Sequence, residues 1–122
     1  MSSIICFIGC GTIFLAKNVI DIRNANIALL SASYSGDIKT VESSIKKGAN
    51  INHVNDLGTT ALMFASSAGN FKIAELLIKE KANIHYKSRY TENTALDFAY
   101  RFGHEDVVKL LKENGAENYC YY

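Results

Sequence analysis

"GTTALMFASSAGN", residues 58–70, and "ENTALDFAYRFGH", residues 92–104, agree at six of their thirteen positions. The shared residues are Thr60/Thr94, Ala61/Ala95, Leu62/Leu96, Phe64/Phe98, Ala65/Ala99 and Gly69/Gly103. The first stretch contains no acid, base or cysteine. A segment repeated without reactive groups is repeated for packing, and self-similarity at a fixed period marks a stack of small structural units.

The period extends to a third copy. Gly36, Gly69 and Gly103 lie 33 and 34 residues apart, and Ala49, Ala82 and Ala116 keep the same spacings. Leu29, Leu62 and Leu96 precede their glycines by seven residues, and Ala32, Ala65 and Ala99 by four. "KKGANIN" (46–52), "KEKANIH" (79–85) and "ENGAENY" (113–119) close the units. Three units result, 25–52, 53–85 and 86–118, preceded by an apolar segment, 1–24, and followed by a tail, 119–122.

Each unit reads as two short helices and a loop. Thr60 is an N-cap, a residue whose hydroxyl accepts an otherwise unpaired amide of the first turn. Gly69 stands where a helix ends in a left-handed residue. "FKIAELLIKE" (71–80) gathers Ile73, Leu76, Leu77 and Ile78 on one side and Lys72, Glu75 and Lys79 on the other, the pattern of an amphipathic helix. Thr94 and Asp97 have the spacing of a reciprocal capping box. A lone helix pair cannot bury its apolar face, so neighbouring units must cover it. Small residues such as Ala65, Ser66 and Gly69 allow that close approach.

A 33-residue unit with Thr-x-Leu-x-x-Ala, then Gly, then Leu-Leu, then Gly-Ala resembles the ankyrin repeat. Residues 60–84 and 94–117 carry the resemblance most fully, and residues 27–52 more loosely. The resemblance implies an all-α solenoid of stacked helix-turn-helix units joined by hairpin loops. The chain departs from the pattern at several places. Ala28, Ala61 and Ala95 replace the family's proline, and Leu30, Met63 and Asp97 its histidine. Ser44 occupies a core leucine position, and Lys81 replaces the glycine before Ala82. The loop before unit three has one extra residue and no counterpart of Gly58. These departures point to a less stable stack of the same fold.

Composition excludes several function classes. Thirteen basic and twelve acidic residues are spread along 122, and no basic stripe exists to displace counterions from a phosphate backbone, so nucleic acid is not expected as a partner. Cys6, Cys10 and Cys120 make an odd number, which argues against a closed disulfide framework and for reduced thiols in the cytoplasm. "IICFIGCGTIFLA" (4–16) is apolar but shorter than the roughly twenty residues of a spanning helix. It is expected to cover one end of the core. A signal-like or lipid-attached N-terminus is the alternative, and membrane attachment is expected only through this segment.

No catalytic, cofactor or metal site is expected. His53 and His85 fall near loop tips without the ligand spacing of zinc, Cys6 and Cys10 have no further ligands nearby, and no serine sits in a nucleophile elbow. The resemblance implies a non-enzymatic module that binds another, unidentified protein through a concave face of first helices and loop tips. An exported or membrane-attached effector and a self-associating structural fragment are the alternatives, and the chain is expected to be monomeric or weakly self-associating. Candidate contact residues are those that differ between units at the tips and just before the glycines: Tyr34, Asp56, Leu57, Tyr90, Tyr100, Arg101 and Phe102. Aromatic and arginine side chains dominate such hot spots.

Overall fold

The computed structural model describes residues 2–117, with side chains from residue 19 onward. The expectations placed on the side chains of residues 4–16, including Cys6 and Cys10, and on the tail 119–122 with Cys120, lie outside the described residues. Six helices follow in order: α1 (Ser2–Ser35), α2 (Ile38–Lys46), α3 (Ala61–Ala68), α4 (Phe71–Lys79), α5 (Ala95–Arg101) and α6 (Glu105–Glu113). No strand occurs among the described residues. The all-α solenoid expected from the repeat is therefore what forms.

The helix ends follow the local chemistry. The Thr60 hydroxyl accepts from the Met63 amide at 3.3 Å. Thr94 and Asp97 complete the capping box: the Thr94 amide donates to Asp97 Oδ2 at 2.9 Å, and the Asp97 amide donates to Thr94 Oγ1 at 3.4 Å. Asp97, which replaces the family's histidine, thus serves the start of its own helix. Asp37 caps α2 by accepting from the Thr40 hydroxyl and amide, which lowers its carboxyl pKa below the usual value. Gly69 closes α3 at φ 74°, ψ 25°.

α1, α3 and α5 pack side by side as one layer, and α2, α4 and α6 lie against them as a second. The core runs continuously through both, with Leu29, Leu62, Leu77, Leu96, Val107 and Leu111 fully buried. Small residues make the first layer tight: Ala32, Ala65 and Ala99 are buried at one repeated position, and Ser33 and Ser66 at the next. Those two hydroxyls donate to carbonyls of their own helix, Leu29 O at 2.6 Å and Leu62 O at 2.7 Å, so neither is left unpaired.

A second set of bonds ties each unit to the one before it. Asn70 follows Gly69 and donates through Nδ2 to the Ser33 and Tyr34 carbonyls, at 2.8 and 3.1 Å. His104, one unit on, brings Nε2 to 3.0 Å from the Ser67 carbonyl. Its ring leans so closely over Gly69 that a Cβ there would stand 2.5 Å from Nδ1. Near the loops, Asn52 Oδ1 of unit one accepts from the Asn83 amide of unit two at 2.7 Å, and the equivalent bond from the Asn50 amide to Asn26 Oδ1, also 2.7 Å, lies within unit one.

The ends of the stack explain the unusual residues. α1 is 34 residues long, whereas α3 has 8 and α5 has 7. It passes residues 24 and 25 without a break. Ser44 lines a polar hollow of about 770 Å³ between α1 and α2, on a flank of unit one that no other described repeat covers. Its counterparts Leu77 and Leu111 are fully buried, and Ser44 is itself buried, at 3% exposure.

Two non-glycine residues adopt left-handed backbone, Lys81 at φ 67° and Glu92 at φ 54°. They hold the register positions of Gly48 and Gly58, whose φ values are 91° and 71°. Both side chains are exposed. A Cβ in this conformation costs roughly 1–2 kcal/mol, partly offset by the larger unfolded-state entropy of glycine. Lys81→Gly and Glu92→Gly are each expected to stabilise the chain by about 0.5–1 kcal/mol in urea denaturation. Glu75→Gly, inside α4, should destabilise it by about 1 kcal/mol. In the core, Leu62→Ala and Leu77→Ala should each cost about 2–5 kcal/mol, and unchanged denaturation midpoints would show that these side chains do not hold the stack together.

Candidate functional site

The loops between units are held by their own side chains, which fixes what they present. Asn55 Oδ1 accepts from the Leu57 amide at 3.0 Å and the Thr59 amide at 2.9 Å, and the Asn55 amide donates back to the Thr59 carbonyl at 3.2 Å. This turn pushes Asp56 and Leu57 to the tip, both exposed. In the next loop the Ser88 amide donates to the Asn93 carbonyl at 2.9 Å, and the Ser88 and Thr91 hydroxyls bond to each other. That loop, one residue longer, lifts Tyr90 to 70% exposure, the most of any large apolar side chain described.

Beside these tips lie two depressions. The larger, about 630 Å³, is bounded by α1, α3 and the first loop, with Ile27, Leu30, Tyr34, Val54, Asp56 and Phe64 among its walls. Tyr34 and Phe64 meet edge to face, ring centroids 6.0 Å apart at 81°. The smaller, about 240 Å³, lies between the two loops and is lined by Leu57, Thr59, Ser88, Tyr90, Thr91 and Phe98. Nearly all of this lining is apolar or uncharged. Among the described residues no three His, Cys, Asp or Glu side chains come together to hold a metal ion.

The structure sorts the candidate residues into groups. Tyr34 and Asp56 share the larger depression, and Leu57 and Tyr90 share the smaller. Arg101 is exposed at the register position that Tyr34 holds in unit one. Tyr100 stands apart. It is the counterpart of Ser33 and Ser66, which following units bury, and with no described unit beyond it the ring stays 40% exposed. Lys112 Nζ lies 5.1 Å from its centroid, a cation over the ring face. Lys112 itself replaces Ile45 and Ile78, which pack against the core. Phe102 is exposed and lines neither depression. Ile27, Val54, Phe64 and Phe98 are wall residues that were not among the candidates. Phe64 and Phe98 belong to the repeated stretch and read as core, yet both are only half-buried.

Paired helices in two layers, tied unit to unit and presenting loop tips on one side, define a repeat solenoid. A family model for ankyrin repeats, in three copies, matches residues 29–121. The chain belongs to the ankyrin-repeat family. Comparison with curated proteins finds no match. Ankyrin repeats generally mediate protein–protein interaction and are typically non-enzymatic.

The position of Tyr34 depends on the Asn70 side chain, which holds the carbonyls of residues 33 and 34 at the end of α1. A lost hydrogen bond of this kind costs about 0.5–1.5 kcal/mol. Asn70→Ala should therefore destabilise the chain by about 1–3 kcal/mol in denaturant titration, since two bonds go. Asn70→Asp should cost more, because a carboxylate would face two carbonyl oxygens. An Asn70→Asp variant as stable as the native chain would show that this bridge is not used.

Proposed function

We propose that the chain binds a partner protein through the face made by its first helices and loop tips, and that it catalyses no reaction. One observation carries the reading: Ile27, Tyr34, Leu57 and Tyr90 are large apolar side chains, each more than half exposed, gathered around two depressions on that one side. Monomeric proteins seldom leave such apolar surface uncovered unless it meets something. Tyr34, Tyr90 and Arg101 are of the residue types that dominate binding hot spots. Family membership supports the same role. The outer helices offer a contrast, because Lys72, Glu75 and Lys79 give α4 a charged exposed surface.

Tyr90 and Arg101 are both exposed, so truncating them leaves the fold intact. Removing a hot spot costs about 2 kcal/mol or more, which is roughly thirty-fold in affinity. With a partner identified by affinity capture and mass spectrometry, Tyr90→Ala combined with Arg101→Ala should weaken binding by at least that factor in titration calorimetry. Lys72→Ala and Lys79→Ala should leave it nearly unchanged. Binding that survives the first variant and is lost in the second pair would move the interface to the outer helices.

A further inference from the structure

The larger depression is a product of one feature that the other units lack. In units two and three the first helix begins after a threonine cap, Thr60 or Thr94. In unit one the same register position is Ile27, and α1 runs straight through it. A helical residue therefore stands as a wall where the other units have a turn. Tyr34 forms the next part of that wall; its counterpart in unit two is the small Ser67. Phe64 and Val54 close the opposite side. The result is an apolar hollow of about 630 Å³, in the range of sites that hold a small ligand or a short piece of chain.

The charge on this hollow is one-sided. Asp56 supplies its only carboxylate, and no lysine or arginine lines it. The carboxylate is exposed on the turn built by Asn55, and no hydrogen bond or ion pair within the described residues engages it. Asn55, by contrast, is committed to the amides of its own loop. His53 and the Tyr34 hydroxyl are the other titratable groups among its described walls.

We propose that this hollow receives a segment of the partner protein in which a bulky apolar side chain is followed closely by a lysine or arginine. The apolar group seats against Ile27, Tyr34, Val54 and Phe64, and the cation pairs with Asp56. The inference rests on the protein-binding reading above and names the chemistry of what is bound. An acidic segment is disfavoured, because its charge would approach Asp56 with no cation on the wall to offset it.

The test uses the full chain. Random peptides of about a dozen residues are displayed on phage and selected against it, and the enriched sequences are synthesised and titrated. The expected winners carry an aromatic or aliphatic residue beside a basic one. Tyr34→Ala should weaken them by about tenfold or more, and Asp56→Asn by about three- to fivefold, as for an exposed ion pair. Raising the salt concentration should remove the difference between Asp56→Asn and the native chain. Both side chains are exposed, and circular dichroism with thermal melting confirms that each variant remains folded.

Failure to enrich any sequence would overturn the proposal, as would winners that lack basic residues or ignore Asp56→Asn. Peptides lost in the Tyr90 and Arg101 double variant but indifferent to Tyr34→Ala would overturn it while leaving the broader reading in place. Peptides lost only in Lys72→Ala would overturn both.

Discussion

Close contact between α1, α3 and α5 is the interaction on which the rest depends. Small residues let the three helices lie near one another: Ala32, Ala65, Ala99, Ser33 and Ser66 are buried in this layer, alongside the larger Leu30 and Met63. Serine adds a constraint, since a buried hydroxyl must be paired; Ser33 and Ser66 meet it by donating to their own helices. The leucines behind this layer, Leu29, Leu62 and Leu96, are then sealed from water on every side. Burying such a side chain is worth about 1.5–3 kcal/mol. No single unit could supply that seal, which is why the packing stretch is copied and why it contains no reactive groups.

The same constraint determines what happens where the described stack has no neighbour. On the flank of unit one Ser44 takes the place of a leucine, and the hollow beside it is polar. In unit three Lys112 stands where two isoleucines stood, and Tyr100 fills the place of two serines with the lysine laid across its ring. Lys112 puts a charge on the outer side of the last described helix pair, whereas Ser44 is itself buried. On the loop side the exposed apolar residues are Ile27, Tyr34, Leu57 and Tyr90, while Val19 and Ile20 on α1 and Phe102 after α5 are also more than half exposed. The grouping of the four loop-side residues around the two depressions is what supports the proposed binding face.

Most of the fold was legible in the sequence because its determinants are local and repeated. Thr60, Gly69 and the Thr94–Asp97 pair each declare a helix end through one short interaction, and the periodic leucines declare the core. The candidate surface was legible only in part. Tyr34, Asp56, Leu57 and Tyr90 stood out as differences between units, and they do flank the two depressions. Phe64 and Phe98 did not, because a residue shared by two units reads as packing even when half its surface is open. Tyr100 stood out for its size beside the serines of the other units; its ring is 40% exposed and carries the Lys112 ammonium over its face. The wall at Ile27 depends on α1 continuing past the place where its counterparts begin, and its one local signal is the absence of the threonine that caps the other two units.

Cooperation between neighbouring units is the central claim, and native-state hydrogen exchange on the full chain measures it most directly. α3 has a unit on each side, so its amides from Phe64 to Ser66 should open only when the whole stack unfolds. They should show the highest protection in the chain and share one opening free energy with the α5 amides packed against them. Protection in α6 should be equal or lower, since that helix has a described neighbour on one side only. A result in which α6 outlasts α3, or in which unit three keeps full protection while unit two exchanges freely, would contradict the account: the units would then be stable one by one, and their stacking would not be what makes the fold.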